Sequence, residues 1–316
     1  MVDHYYLVEN DPQVRIMASA HMERLLLRYP EQLSRQTVDD ALNRLPGDLE
    51  EITPGMLRGL GRVDHLREGG PSERSLALPR LVPSRTPGHG PVKDRRSGLF
   101  WNVYAALSTL RDANPDLTYI LENVAFQQDR PERRFKRGFI TVCNFLGQPL
   151  TFSASLLSAA KRRRNCWTNL TNEVPPAAAA GVNWQSVLNA HHIAHTDKAP
   201  AVMRSANTCA VRSGRALVRN IVSGNEEVPD IDELERMVGL DGDTTSAPGV
   251  GDSTRRAACG NILDGNVVTF LMQRLPPRAA LAHGATGVAN RRQLASLVGS
   301  LQFCAVPVHG GQLHLR

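Results

Sequence analysis

The chain has 316 residues, 41% of them hydrophobic and 22% charged, with 37 Lys and Arg against 31 Asp and Glu for a formal net charge of +6. That length can bury a full core and fits one large α/β domain, or a main domain with a small appended lobe. No apolar run approaches the roughly 20 residues that cross a bilayer, and Met1-Val2-Asp3-His4 with its polar, acidic sequel does not read as a signal peptide. A non-membrane, intracellular protein is therefore expected, nuclear in a eukaryote or else organellar.

Taken in chain order, Tyr5-Tyr6-Leu7-Val8 is a short β-prone run that enters a turn at Glu9-Asn10-Asp11-Pro12, and Val14 to Leu27 has helical spacing. A second strand-like element ends near Gly47-Asp48, and a third, Arg62 to Leu66, runs into Gly69-Gly70-Pro71. Four prolines and three glycines between Ala77 and Gly98 predict a loop. Leu99 to Leu110 reads as an amphipathic helix and Thr118 to Leu121 as an apolar strand stopping at Glu122-Asn123. Phe139 to Phe145 and Ala154 to Ala160 are expected to continue the sheet and its packing. Pro175-Pro176 and four alanines mark a linker into a small polar lobe. Asp230 to Met237 is a short acidic helix, Gly239 to Ser253 a Gly-rich loop, and Val267 to Leu275 a final apolar helix. Strands alternating with helices predict a doubly wound sheet, whose binding residues gather beyond the carboxyl ends of strands. Glu9, Asp48, Ser72 and Glu122 hold that position.

Cys143, Cys166, Cys209, Cys259 and Cys304 lack C-x-x-C spacing, which argues against a zinc knuckle and against a disulfide framework; they read as reduced, mostly buried thiols, and no metal site is expected. Positive charge is clustered at Arg130, Arg133, Arg134, Lys136 and Arg137, again at Lys161 to Arg164, and from Gly265 to Arg316 there is no acidic residue against five arginines. Such patches suit a polyanion, DNA or RNA, although a charge run also serves as a plain solvated face.

The order of motifs resembles that of the C5-cytosine DNA methyltransferases, in particular the animal de novo type and its catalytically silent regulatory paralogue. Ser97-Gly98-Leu99-Phe100-Trp101-Asn102-Val103-Tyr104 followed by Tyr119-Ile120-Leu121-Glu122-Asn123-Val124 is similar to the family's helix and ENV motif. Ser158-Ala159-Ala160-Lys161-Arg162-Arg163-Arg164-Asn165-Cys166-Trp167-Thr168-Asn169 is similar to S-A-A-x-R-x-R-x-x-W-x-N. Arg204-Ser205-Ala206-Asn207, Arg212-Ser213-Gly214, the stretch Glu233 to Gly239, and Cys259-Gly260-Asn261 follow in the expected order. The resemblance implies a Rossmann-like methyltransferase core over 1–170, a small target-recognition-like lobe over 171–235, a return to the core over 236–275 and a basic extension over 276–316.

By that resemblance a cytosine is flipped out of the duplex, a Cys thiolate attacks C6, a Glu bonds N3 and C5 takes the methyl of S-adenosylmethionine. Glu122 matches the ENV glutamate, and Arg162 and Arg164 match the arginines that hold the base, sharing one strand face at i and i+2. Glu9 and Asn10 match the ribose-binding turn, Asp48 the adenine-binding carboxylate, and Leu99 and Asn261 positions lining the cofactor pocket. Without the family, Glu122 reads as a helix cap and Glu9 and Asp48 as turn residues, and Cys166 reads as core.

Two departures set the functional expectation. Gly69-Gly70-Pro71-Ser72 places Ser72 where the family has its nucleophilic Cys, and a hydroxyl is not appreciably ionised near neutrality. The family's first strand and its glycine-rich turn have no counterpart ahead of Tyr5, which leaves an unpaired edge to be filled by another chain, a later segment such as Phe303 to Val308, or a rearranged fold. His65, Arg67 and Glu68 are also poor residues for a buried parallel strand. In the tail, Arg291 to Leu301 reads as a short basic helix. The expectation is a degenerate, inactive methyltransferase-like protein serving as a binding, regulatory or structural subunit, with an active paralogue or a larger assembly as partner and binding of S-adenosylmethionine impaired. An active enzyme completed by sequence not shown, and a fold recruited into a ribonucleoprotein complex, stand as alternatives.

Overall fold

Asp11 starts the first helix, α1 (Pro12–Arg28), because its carboxylate accepts the amides of Gln13 at 2.8 Å and Val14 at 3.3 Å while Pro12 occupies the first turn. This is a computed structural model describing residues 6–31, 33–63, 65–69, 95–125, 133–176, 182–205, 207–274 and 314–315. Val14, Met17, Ala18, Met22 and Leu25 form the buried stripe of α1, matching the predicted spacing.

The strand expected to end near Gly47-Asp48 is instead a helix and a turn. Ser34 caps α2 (Arg35–Asn43) by accepting the Thr37 amide at 3.1 Å, Val38 and Ala41 are buried, and Pro46, lacking an amide, precedes a 3-10 turn at Leu49–Glu51. A short helix α3 (Pro54–Gly59) follows. The next helix, α4 (Arg95–Ala113), begins inside the Pro- and Gly-rich stretch read as loop, and buries Val103, Ala106, Leu107 and Leu110.

The described residues build a six-stranded sheet in the order β1-β9-β2-β3-β5-β4. Its strands are β1 (Tyr6–Leu7), β2 (His65–Gly69), β3 (Thr118–Val124), β4 (Leu150–Ser153), β5 (Arg163–Thr168) and β9 (His314–Leu315). Strands β2 and β3 are parallel, and β5 and β4 follow antiparallel. Helices cover both faces, because alternate strand residues point to opposite sides. Tyr119, Leu121 and Trp167 face α4 and the helix α5 (Arg133–Leu146), while Ile120, Cys166 and Phe152 face the last helix, α9 (Gly265–Met272). The doubly wound α/β expectation holds on these grounds.

Three local readings are corrected. Phe139 to Phe145 is helical in α5, because Val142 is buried and Phe139, Cys143 and Leu146 pack beside it at three- and four-residue spacing. Ala154 to Ala160 forms a 3-10 turn and loop, and the sheet continues through β4 and β5 instead. Strand β2 forms despite its polar residues: His65 is satisfied by a 2.8 Å hydrogen bond between its Nδ1 and the Thr118 hydroxyl across the parallel pair.

The edge expected to lie open beside β1 is filled by a later segment of the same chain. Strand β9 inserts antiparallel to both neighbours, pairing Leu7 with His314 and Leu66 with Leu315. Phe303 to Val308 and Arg291 to Leu301 lie outside the described residues.

A smaller three-stranded antiparallel sheet, β6 (His192–Ile193), β7 (Val218–Asn220) and β8 (Glu226–Glu227), carries the polar lobe with α6 (Cys209–Arg212) and α7 (Ile231–Met237). Asp230 and Glu233 form a reciprocal capping box on α7, as the acidic start predicted. Helix α8 (Asp252–Asn261) then leads to α9. Buried cysteines are Cys166 and Cys259, Cys143 is half-buried, and Cys209 is exposed.

Helices α7 and α9 meet at a glycine pair. A Cβ on Gly265 would stand 2.2 Å from the Gly239 carbonyl oxygen, and Gly239 itself has φ of +75°. Gly265→Ala is therefore expected to cost about 1–3 kcal/mol in urea unfolding. Gly59→Ala, at a helical site with nothing close to its Cβ position, is expected to be neutral or mildly stabilising. Equal midpoints for the two variants would show that the crossing tolerates a side chain.

Candidate functional site

The charge run Lys161 to Arg164 splits as the chain enters β5. Lys161 and Arg163 are exposed, Arg162 is buried, and Arg164 turns inward. Register places Glu122 of β3 opposite Cys166 and Val124 opposite Arg164, and the Arg164 guanidinium makes an ion pair with the Glu122 carboxylate, whose side chain is 4% exposed against 19% for Arg164. Arg162 donates to the backbone carbonyls of Gly260, at 3.1 Å, and Ile262. Burial, then repulsion from Arg164, lowers its pKa to about 9, with Glu122 and Asp264 acting in the opposite direction. The structure thus brings Glu122, Arg162 and Arg164 together, although the two arginines leave for different anchors.

Asp264 completes this chain of charges and carried no role in the sequence reading. It caps α9 through the Asn266 and Val267 amides, accepts the Ser158 hydroxyl at 2.6 Å, and is pushed up to about 6 by burial. Its sequence signal, Asp before Gly265-Asn266 and an apolar helix, is that of any N-cap. Glu235 was likewise missed: it is buried and accepts the Thr244 and Thr245 amides at 2.9 and 2.8 Å and the Arg255 guanidinium at 3.2 Å, bracing the Gly-rich loop.

Of the proposed cofactor residues, Glu9, Asn10 and Asp48 form a second, separate group. Glu9 leaves β1 buried, and its carboxylate accepts the Asp11 amide at 2.8 Å. Asn10 is exposed beside it. Gly47 packs so close that a Cβ there would lie 2.7 Å from the Glu9 carbonyl oxygen, which brings Asp48 to the same turn. Asp48 itself accepts the Glu50 amide at 2.9 Å as the cap of the 3-10 turn. Leu99 lies in α4. Asn261 ends α8, its amide nitrogen buried without a hydrogen-bond partner among the described residues. Ser72 lies outside the described residues. Gly69, which pairs with Glu122 in the β2–β3 register, precedes it by three residues, a reach of about 10 Å at full extension.

Strands β1, β2 and β3 run the same way, so Glu9 and Glu122 stand at one edge of the sheet, where open α/β sheets bind ligands. Three solved structures are similar to the chain. The methyltransferase EhMeth of Entamoeba histolytica matches with 14% identity and TM-score 0.48, covering 72% of this chain and 81% of its own. The Dnmt2 methyltransferase of S. pombe matches with 12% identity and TM-score 0.48, covering 82% and 95%, and a mutant of Spodoptera frugiperda DNMT2 with 12% identity and TM-score 0.45, covering 71% and 82%. None of the three is of the animal de novo type or its inactive paralogue, to which the motifs were likened. No protein-family model and no curated protein matches the sequence.

Among the described residues no group of His, Cys, Asp and Glu could hold a metal ion, and no helix is long and apolar enough to cross a membrane. Chemically, the Glu122 cluster sets two guanidinium groups beside one carboxylate, with the carboxylate paired to Arg164 and Arg162 donating to backbone carbonyls. At the Glu9 turn both carboxylates likewise serve backbone amides.

Burial raises the Glu9 carboxyl from 4.5 to about 8, against the opposing pull of the Asp11 and Asn10 amides. The unfolded chain ionises there near 4.5 and the folded chain only near 8, so stability falls as pH rises between those values, by about 1.4 kcal/mol per unit. Glu9→Gln, which keeps the acceptor, is expected to match wild type near pH ~4 and exceed it by a few kcal/mol at pH ~8. Parallel pH profiles of urea midpoints would contradict burial as the cause.

Proposed function

We propose that this chain is a degenerate C5-cytosine methyltransferase-like protein that binds nucleic acid without methylating it, as a binding, regulatory or structural subunit. The observation that carries the reading is the Glu122–Arg164 pair with buried Arg162 beside it, assembled at the carboxyl edge, together with a sequence that has Ser72 in the nucleophile's place. The base-holding groups remain where the attacking group is gone. The place between β1 and β2, where the family's first strand was missed, supports the same reading: it is taken by antiparallel β9, so no parallel strand runs there toward the carboxyl edge to lead into a turn that cradles an anionic or zwitterionic cofactor. S-adenosylmethionine binding through Glu9, Asn10, Asp48, Leu99 and Asn261 is accordingly expected to be absent at micromolar levels by calorimetry.

Exposed Lys161 and Arg163, with the clusters at Arg130 to Arg137 and beyond Gly265, supply the phosphate contacts. Duplex DNA is the first partner to test. Its affinity is expected to fall with salt at a log–log slope of about −3 to −5, three to five phosphates being neutralised. Lys161→Glu with Arg163→Glu is expected to flatten that slope by about 2 units. A slope near zero sinks the proposal, and tighter binding to structured RNA moves it to the ribonucleoprotein reading.

A further inference from the structure

The small lobe contains a titratable cluster unrelated to Glu122. His192 of β6 is buried, its Nδ1 lies 2.7 Å from Glu233 Oε1 on α7, and its Nε2 lies 3.5 Å from Glu227 Oε2 on β8. Both ring nitrogens thus face carboxylate oxygens. A neutral imidazole has one N–H, and would turn a lone pair toward one of those anions. Two acceptors on opposite sides of one ring therefore select the doubly protonated form. The buried Glu233 also needs it, since its remaining partners are the backbone amides of Asn189 and Asp230.

The other charged or titratable neighbours are few. The ring of His191 stacks at 4.2 Å between centroids, Asp230 accepts from the Asn189 side chain, and Arg236 of α7 donates to Val187 O and Asn189 Oδ1 at 2.8 Å. Glu227 is also gripped by Asn220 Nδ2 at 3.1 Å and by the Ser223 hydroxyl at 3.0 Å, both from the β7–β8 hairpin. The imidazole thus bridges the hairpin to α7, in addition to the three-residue chain link between Glu227 and Ile231. At the hairpin tip Ile221 and Val222 stand 54% and 84% exposed, beside exposed Arg219.

We infer that His192 is a proton-operated latch: doubly protonated, it clasps the β7–β8 hairpin onto α7 through Glu227 and Glu233, and loss of its Nε2 proton lets the hairpin open. Nε2 is the nitrogen that yields, because its contact is the longer and its partner the more exposed. Burial alone lowers the imidazole's proton affinity, but the hydrogen bond to Glu233 and the negative charges of Glu233 and Glu227 outweigh it and raise the pKa above 6.5. The latch is consequently closed below that value and opens as pH rises through the closed-state pKa. Between the two, the open population grows by up to about tenfold per pH unit and then levels off. This inference is independent of the methyltransferase reading.

The test is nitrogen-15 NMR of the imidazoles in the full chain, with amide-exchange protection of Asn220 and Ile221, whose amides donate to Asn225 O at 2.8 Å and His191 O at 2.9 Å. His192 is expected to show two protonated ring nitrogens at neutral pH, with protection falling as one is lost. Glu227→Gln should lower the transition pH and the starting protection without unfolding the chain. Glu226→Gln, which disturbs only the exposed His195–Glu226 pair at 2.6 Å, should leave His192 unchanged. A neutral His192 at pH ~7, or protection that ignores its titration, overturns the latch.

Discussion

Incubated with methyl-labelled S-adenosylmethionine and a cytosine-rich duplex, the purified chain is expected to leave no label on DNA, and Ser72→Ala is expected to give the same blank. The chemistry demands a nucleophile that adds to a ring carbon without first being stripped of a proton by a partner base. A thiol supplies a few per cent of thiolate near neutrality, whereas a serine hydroxyl needs a positioned base. Glu122, the carboxylate that pairs with Gly69 in the β2–β3 register, is committed to the Arg164 guanidinium. Loss of a covalent nucleophile costs on the order of 10⁶ in turnover where it has been measured, far below background here. Label transferred by wild type and abolished by Ser72→Ala would reverse the assignment, and trapping of a 5-fluorocytosine duplex would do so independently.

Arg164→Leu is expected to destabilise the protein by about 3–5 kcal/mol, because it strands the Glu122 carboxylate, 4% exposed, inside the sheet. Glu122→Gln alone should cost less, since Arg164 is 19% exposed and its long stem can turn the guanidinium to water. The double variant Glu122→Gln with Arg164→Leu should recover much of the loss, giving a coupling energy well above the roughly 0.2–1 kcal/mol typical of surface pairs. Urea midpoints of the four proteins measure it. A coupling within the surface range would mean that water reaches the pair and that its retention carries no structural weight.

Strand β3 was legible because Thr118 to Leu121 is a short, largely apolar run, as a strand buried on both sides must be. Helix α7 was legible for a different reason: Asp230 and Glu233 are a capping box, a local device readable without tertiary contacts. Phe139 to Phe145 misled because a short apolar run has no period of its own, and only packing against Trp167 and Leu107 distinguishes helix from strand there. The element before Asp48 misled in the same way, Leu45 being buried by the fold and not by a strand.

Of the site, the residue types and their order could be read along the chain, and the neighbours of each could not. That Glu122 and Arg164 are one ion pair follows from an antiparallel register between strands about 40 residues apart. That Arg162 is anchored elsewhere depends on carbonyls at Gly260 and Ile262, about a hundred residues later in the chain. The capping role of Asp48 and the burial that raises the Glu9 pKa are hydrogen-bonding and desolvation effects, and composition is silent on both.

Sequence by itself determined the α/β alternation, the caps of α1 and α7, the clustering of positive charge and the alcohol at position 72, because each is written in local chemistry or in short-range periodicity. Tertiary structure alone decided that β9 closes the sheet, that Lys161 and Arg163 face water while Arg162 and Arg164 face protein, and that His192 sits between two carboxylates. Those outcomes depend on strand pairing and burial between segments distant in the chain, whose free energy exists only once both partners are in place.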